Sequence, residues 1–168
     1  TYAGRVEAYK RLDLVLWIAK TLKDRLLQNM KIRVRIIGEG TDLKRILRLA
    51  RDLGVEVEHY PFLERNKYLE TLSSSTVLVN PSEYEAYSIV TAEALAMGVP
   101  AVIAEPWGKI FKGIPGAYIV DRDNVQGITE TILEIIETRA SIDPSNDRLS
   151  KIMPWSRVAE LVVKMLYQ

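Results

Sequence analysis

Six short apolar runs punctuate the chain, at residues 2–4, 31–37, 55–60, 76–80, 101–104 and 117–120, and helical patterns fill the gaps between them. Runs this short, bounded this sharply, read as strands. The clearest helix covers residues 11–28, where Val15, Ile18, Ala19, Leu22 and Leu26 recur at helical spacing. A second is expected over residues 87–97, rich in alanine and stopped by Gly98 and Pro100. Residues 141–146 read as a loop, and residues 155–167 as a last amphipathic helix with Val158, Leu161, Val162 and Leu166 on its core-packing face. Strand and helix in strict alternation predict an α/β chain with a parallel sheet of about six strands, covered on both sides in three layers. Residues 32–36 and 55–58 alternate apolar and polar, as half-exposed strands do, and suit one side of the sheet.

A doubly wound strand order, 3-2-1-4-5-6, accommodates the pattern within one domain of residues 1–168. Ligands of such sheets bind outside the carboxyl ends of the strands, where the order reverses, here between strands one and four. The loop after strand one contains Arg5 and Lys10, and the loop after strand four, residues 82–87, leads into a helix N-terminus. Unpaired N–H groups and a partial positive charge make such a terminus a phosphate site. Glu85 would stand beside it, and Glu93, eight positions on, about two turns or roughly 12 Å further along. The pair could address two ends of an elongated phosphate-containing ligand. Spacing alone does not establish this, because Glu56 and Glu64 are also eight apart and lack the Pro81-Ser82 junction. The competing reading makes Glu85 a carboxylate favouring the helix dipole, Glu93 a solvated face position, and Arg5 and Lys10 ordinary surface cations. Convergence of Arg5, Lys10 and Glu85 on one spot indicates a diphosphate.

Composition narrows the picture. At 168 residues and 48% hydrophobic, a single core burying roughly two-thirds or more of the unfolded surface is expected. The sequence has no cysteine, which excludes disulfides, thiolate metal sites and cysteine nucleophiles and fits a cytoplasmic setting. No apolar run reaches the roughly 20 residues a spanning helix needs. The net charge of +1 conceals a basic first third, with 13 Lys/Arg against 6 Asp/Glu over residues 1–54. Local potential of that sign draws an anionic ligand, membrane headgroups or an acidic partner. No nucleic-acid motif accompanies it. His59, the one histidine, lies in a predicted strand and reads as structural. Gly38-Glu39-Gly40 offers a G-x-G turn, but Leu43 stands where a dinucleotide fingerprint needs a small residue. Gly38 and Gly40 either let backbone approach a ligand closely or form a tight turn, with Thr41 or Asp42 capping the next helix.

Gly4-Arg5 followed by Lys10, the Gly38-x-Gly40 turn, Asn80-Pro81-Ser82 before Glu85-x7-Glu93, and Gly98-Val99-Pro100 before a strand and a Gly108 turn together resemble the C-terminal half of a GT-B glycosyltransferase of the large family 4 type (glycosyl transferases group 1). The resemblance covers nearly the whole chain. It implies a Rossmann-like donor domain of a retaining hexosyltransferase that moves a sugar from a nucleoside-diphosphate sugar to an acceptor. By this resemblance Arg5 and Lys10 hold the donor diphosphate and neutralise the departing nucleotide. Glu93 bonds the ribose hydroxyls, Glu85 lies near the sugar, and the amides of Ala86, Tyr87 and Ser88 face phosphate or sugar. Gly4, Gly38 and Gly40 belong to the nucleotide-sugar pocket, and the loop from Tyr60 to Leu63 meets the base. The resemblance implies no bound metal and no cofactor, the nucleotide sugar being substrate, and no nucleic-acid partner. It also implies a cytoplasmic location, with an association at the membrane surface included.

Three positions depart from the family's pattern. Ser88 replaces a glycine and would narrow the approach to the sugar, Arg11 stands where glycine is frequent, and Thr76 where aspartate is frequent. The opening strand begins at residue 1, so the N-terminal acceptor domain is expected to be missing, leaving a chain that binds donor weakly and transfers little alone. Two alternatives stay open: a nucleotide-sugar epimerase of the same architecture, and a non-catalytic flavodoxin-like module docking through its basic third.

Overall fold

The computed structural model describes residues 1–26 and 30–138, so the loop expected at 141–146 and the helix expected at 155–167 lie outside the described residues. The order is β1 (Tyr2–Ala3), a 3-10 turn (Ala8–Lys10), α1 (Leu12–Arg25), β2 (Arg33–Ile37), α2 (Leu43–Asp52), β3 (Glu56–Tyr60), α3 (Arg65–Ser73), β4 (Leu78–Asn80), α4 (Ile89–Ala96), β5 (Ala101–Ala104), a 3-10 turn (Trp107–Phe111), β6 (Ala117–Val120) and α5 (Val125–Glu137). Every strand pair is parallel, in two ladders ordered β1-β2-β3 and β4-β5-β6. Thr1 joins them, its amino nitrogen donating to Val77 O at 2.8 Å and its carbonyl accepting from Val79 N at 2.9 Å. Read across, the strands run 3-2-1-4-5-6, the doubly wound order expected from the sequence.

Side-chain alternation along the central strands builds the layers. Val79 and Val102 enter the core with Leu16, Ile18 and Leu22 of α1, Ile46 of α2, and Ile128, Ile132 and Ile135 of α5. Leu78, Ala101 and Ile103 point the other way, against Leu72 of α3, Leu95 of α4, and Trp107 and Phe111. The alternating strands behave as their pattern implies: Val34 and Ile36 are buried, while Arg33 and Arg35 stand opposite Glu56 and Glu58 in register and pair with them at 2.7 and 3.0 Å. His59 is structural, its Nε2 lying 2.9 Å from Gly38 O.

Two boundaries differ from expectation with visible causes. The fourth helix begins at Ile89 rather than residue 87, because Ser88 takes extended backbone (φ −91°, ψ 99°) and caps it, Oγ accepting from Thr91 N at 3.3 Å. Glu85 and Glu93 are therefore not two turns apart on one helix. Glu85 sits in the β4–α4 loop, and Glu93 in the second turn of α4. Arg11 precedes α1 in the left-handed region at φ 53°, ψ 43°, which explains why a glycine suits this position. Its guanidinium bonds Asp13 at 3.3 Å and lies 3.6 Å from Glu83.

Candidate active site

The first βα loop is clamped from below by the G-x-G turn. Val6 N donates to Glu39 O at 2.8 Å and Asp42 N to Val6 O at 3.0 Å, and the Thr41 hydroxyl donates to Glu7 at 2.6 Å. A Cβ at Gly38 would lie 2.0 Å from Gly4 O, and one at Gly40 2.1 Å from Val6 O. The close approach these glycines permit is thus to the protein's own loop. Asp42 makes no capping bond and instead pairs with Arg45 at 2.6 Å.

Above this base, a crevice of about 650 Å³ opens at the carboxyl edge. Gly4 and Lys10 come from the first loop, Leu63, Arg65 and Tyr68 from the third loop and α3, and Glu85, Tyr87, Ser88 and Glu93 from the fourth loop and α4. The topology therefore brings Gly4, Lys10, Leu63, Glu85, Tyr87, Ser88 and Glu93 to one place, as expected. Gly38, Gly40, Tyr60 and Ala86 do not line it, and the Tyr60 phenol donates to Glu58 at 2.7 Å. Arg5 is exposed outside the lining, its guanidinium donating to the Tyr9 phenol at 3.1 Å.

Lys10 is 9% exposed, and its ammonium donates to Glu85 Oε1 at 2.5 Å. Three donors on the ammonium leave two after this bond. The two loops are sewn together around the pair. Tyr9 stacks on Tyr84 with centroids 4.5 Å apart, Glu83 N donates to Tyr9 O at 2.8 Å, and Lys10 Nζ lies 4.9 Å from the Tyr9 ring centre. Ser88 does not narrow the crevice with its hydroxyl. That group is turned inward, receiving Asn80 Nδ2 at 3.0 Å and the Thr91 hydroxyl at 2.8 Å. What Ser88 offers the crevice is the N-terminus of α4.

At the other end, the Tyr68 phenol donates to Glu93 Oε2 at 2.6 Å, and Arg65 pairs with Oε1 at 2.6 Å. Burial, and then the bond to Glu93, push the Tyr68 phenol well above its ordinary value, so it stays a proton donor through neutral pH. Each carboxylate oxygen keeps a lone pair facing away from its present donor. Tyr9, Tyr84, Arg65 and Tyr68 were missed in the sequence. Arg65 and Tyr68, three apart on α3, share a helix face, but their partner stands 25 residues beyond Tyr68.

A second cavity, about 330 Å³, lies at the amino edge of the sheet, lined by side chains including Val15, Leu22, Arg33, Val77 and Ile132. It lacks the helix N-termini that gather at the carboxyl edge. Among the described residues, no group of three His, Cys, Asp or Glu is placed to hold a metal ion, and no helix is long and apolar enough to cross a membrane.

The chain resembles known proteins in sequence and in fold. The chain is 29% identical over 133 residues to a D-inositol 3-phosphate glycosyltransferase of Frankia alni, covering 73% of this chain and 33% of that protein. It is 28% identical over 146 residues to the Mycolicibacterium smegmatis protein of the same name, covering 81% and 32%. The chain thus spans about a third of the length of these curated relatives. Its fold matches Anabaena Alr3699/HepE, solved with UDP and glucose, with TM-score 0.80 at 14% identity over 99% of this chain and 47% of that one. It also matches the catalytic domain of the Helicobacter pylori cholesterol-alpha-glucosyltransferase, with TM-score 0.70 at 22% identity over 98% and 97%. The epimerase and interaction-module alternatives draw no support from these matches. Residues 1–152 match the family described as glycosyl transferases group 1, and the chain belongs to that family.

Proposed function

We propose that this chain is the donor-binding domain of a retaining glycosyltransferase that moves a sugar from a nucleoside-diphosphate sugar to an acceptor held by a partner N-terminal domain. The observation that carries the reading is the single crevice joining buried Lys10, the N-terminus of α4 and the carboxylate of Glu93. A diphosphate fits between the first two and a ribose against the third. Lys10 turns its two remaining donors to phosphate oxygens while Glu85 holds the ammonium in place. The amides of Tyr87 and Ser88, with that of Ala86 before them, add the positive end of the helix. Arg5 lies one loop position outside and reaches the diphosphate by leaving Tyr9. Glu93, held by Tyr68 and Arg65, accepts from ribose hydroxyls, and Phe62 and Leu63 from the third loop border the base.

In the transfer, the bond between the anomeric carbon and the diphosphate oxygen breaks, the acceptor oxygen takes its place with the configuration kept, and the acceptor hydroxyl's proton passes to the departing diphosphate. Charge collects on the departing diphosphate, where Lys10, Arg5 and the helix amides oppose it more strongly than in the ground state. These groups supply the positive charge in this reading, which calls for no metal, no further cofactor and no nucleic acid. The reaction belongs to the cytoplasm. UDP is the first nucleotide to test, given the UDP and glucose in the Anabaena structure.

Thermal unfolding with UDP, GDP and ADP tests this, because a ligand that binds only the folded state stabilises it by about 2.7 kcal/mol at one hundred times its Kd. At least one diphosphate should raise the midpoint, and its parent nucleoside should do so far less. Equal midpoints with and without all three diphosphates at millimolar concentration would sink the reading.

A further inference from the structure

We propose that Tyr68 makes the crevice selective for ribose over deoxyribose, acting through Glu93 as a positioning residue, an inference that rests on the nucleotide reading of this crevice. A glutamate has several side-chain torsions, and left free it spreads its carboxylate over several rotamers. Glu93 lies on α4 with its side chain 20% exposed, and both it and Tyr68 line the crevice. The Tyr68 ring packs against the core formed by Leu72, Leu95 and Ile103, as do Val90 and Met97, the residues three before and four after Glu93. A packed ring fixes where its hydroxyl stands. That hydroxyl donates to Glu93 Oε2 at 2.6 Å. The carboxylate is thus held from two sides, by α4 through its own stem and by α3 through Oε2.

A carboxylate held in this way suits a pair of neighbouring hydroxyls, one to each oxygen, because each oxygen keeps a lone pair that its present donor does not use. A 2′-deoxyribose supplies one hydroxyl and leaves the other oxygen unmet. Arg65 is no substitute for Tyr68 in the holding. It pairs with Oε1 at 2.6 Å, but its side chain is 62% exposed, and water screens a pair of that kind. Its guanidinium also lies 5.4 Å from the Tyr68 ring centre, which gives it a second resting place when a hydroxyl takes Oε1. The exposed cation can yield to the ribose while the packed phenol stays.

Isothermal calorimetry on the 168-residue chain with UDP, GDP and ADP, and with their 2′-deoxy forms, tests this. The wild type should prefer the ribonucleotide by about tenfold or more, as expected for one hydrogen bond to a charged acceptor. Tyr68→Phe keeps the ring and removes the phenol. It should cut that preference by about threefold or more, chiefly by weakening the ribonucleotide, since the lost bond and the ribose contact are coupled through one carboxylate. Arg65→Ala should leave the preference within about twofold of the wild type, because the pair it removes is exposed. A phenol that served stability alone would lower the unfolding midpoint and leave the ratio of affinities where it was. An unchanged ratio in Tyr68→Phe, or a loss in Arg65→Ala as large as that in Tyr68→Phe, would overturn the proposal. Equal affinity of the wild type for the two sugars would overturn it too, with diphosphate binding itself left standing, whereas no binding of any of these nucleotides would remove the diphosphate reading along with it.

Discussion

Lys10→Ala is expected to weaken binding of a nucleoside diphosphate by about thirtyfold or more, the loss typical when one partner of a desolvated charge contact is removed. Lys10 is the one cation in the crevice that is buried and already aimed by a partner. No neighbour replaces it, since Arg5 is exposed on the rim and Arg65 is committed to Glu93. The same change strips Glu85 of its partner while its side chain is only 17% exposed. Stability should then fall by about 1–3 kcal/mol, short of a fully buried orphan because water reaches part of the carboxylate. Lys10→Ala/Glu85→Ala separates the two effects. The orphaned charge is gone, so stability recovers, while affinity stays low. Isothermal calorimetry and urea unfolding on the two variants check this, and unchanged affinity in Lys10→Ala would contradict the role given to it.

Gly38→Ala should cost about 2–6 kcal/mol, from the strain of a side chain at positive φ together with overpacking. Its φ is 134°, and the added carbon would lie 2.0 Å from Gly4 O and 2.9 Å from Gly4 C. Both are backbone atoms, so no rotamer change relieves the contact. The first βα loop must move or the fold must loosen, and a domain holds only about 5–15 kcal/mol in total. Gly113→Ala is the control: its φ is 82°, but nothing lies within 4 Å of the added carbon. It should cost about 1–2 kcal/mol, backbone strain alone. Urea midpoints compare them, and equal losses would show that the contact with the first loop contributes nothing.

Period and punctuation made much of the fold legible. β5 and β6 have the bounds expected from their apolar runs, because both are short and follow a proline or a glycine, Pro100 and Gly116. Strand and helix alternation pointed to a parallel sheet and was compatible with the doubly wound order, and the place of the crevice followed from that order. The start of α4 was misjudged, since Tyr87 and Ser88 suit a helix by pattern; only the buried bond network of Ser88, Asn80 and Thr91 shows that Ser88 caps it. G-x-G spacing left open a close approach to a ligand or a tight turn at Gly38 and Gly40; the structure shows a close approach to the first loop's own backbone. Least legible was the holding of Glu93 by Tyr68, because local pattern carries no trace of a bond between two helices on either side of a strand.

The central claim is that one crevice, between the loops after β1 and β4, clasps a pyrophosphate. Titration of the isotopically labelled chain with UDP, GDP and ADP, followed by amide NMR, tests it most directly. The account predicts that at least one nucleotide shifts the amides of residues 4–10 and 82–88 together, with Glu93 and Tyr68 following at the ribose end. Shifts confined to the amino-edge cavity around Arg33 and Val77, or none with any of the three, would contradict it.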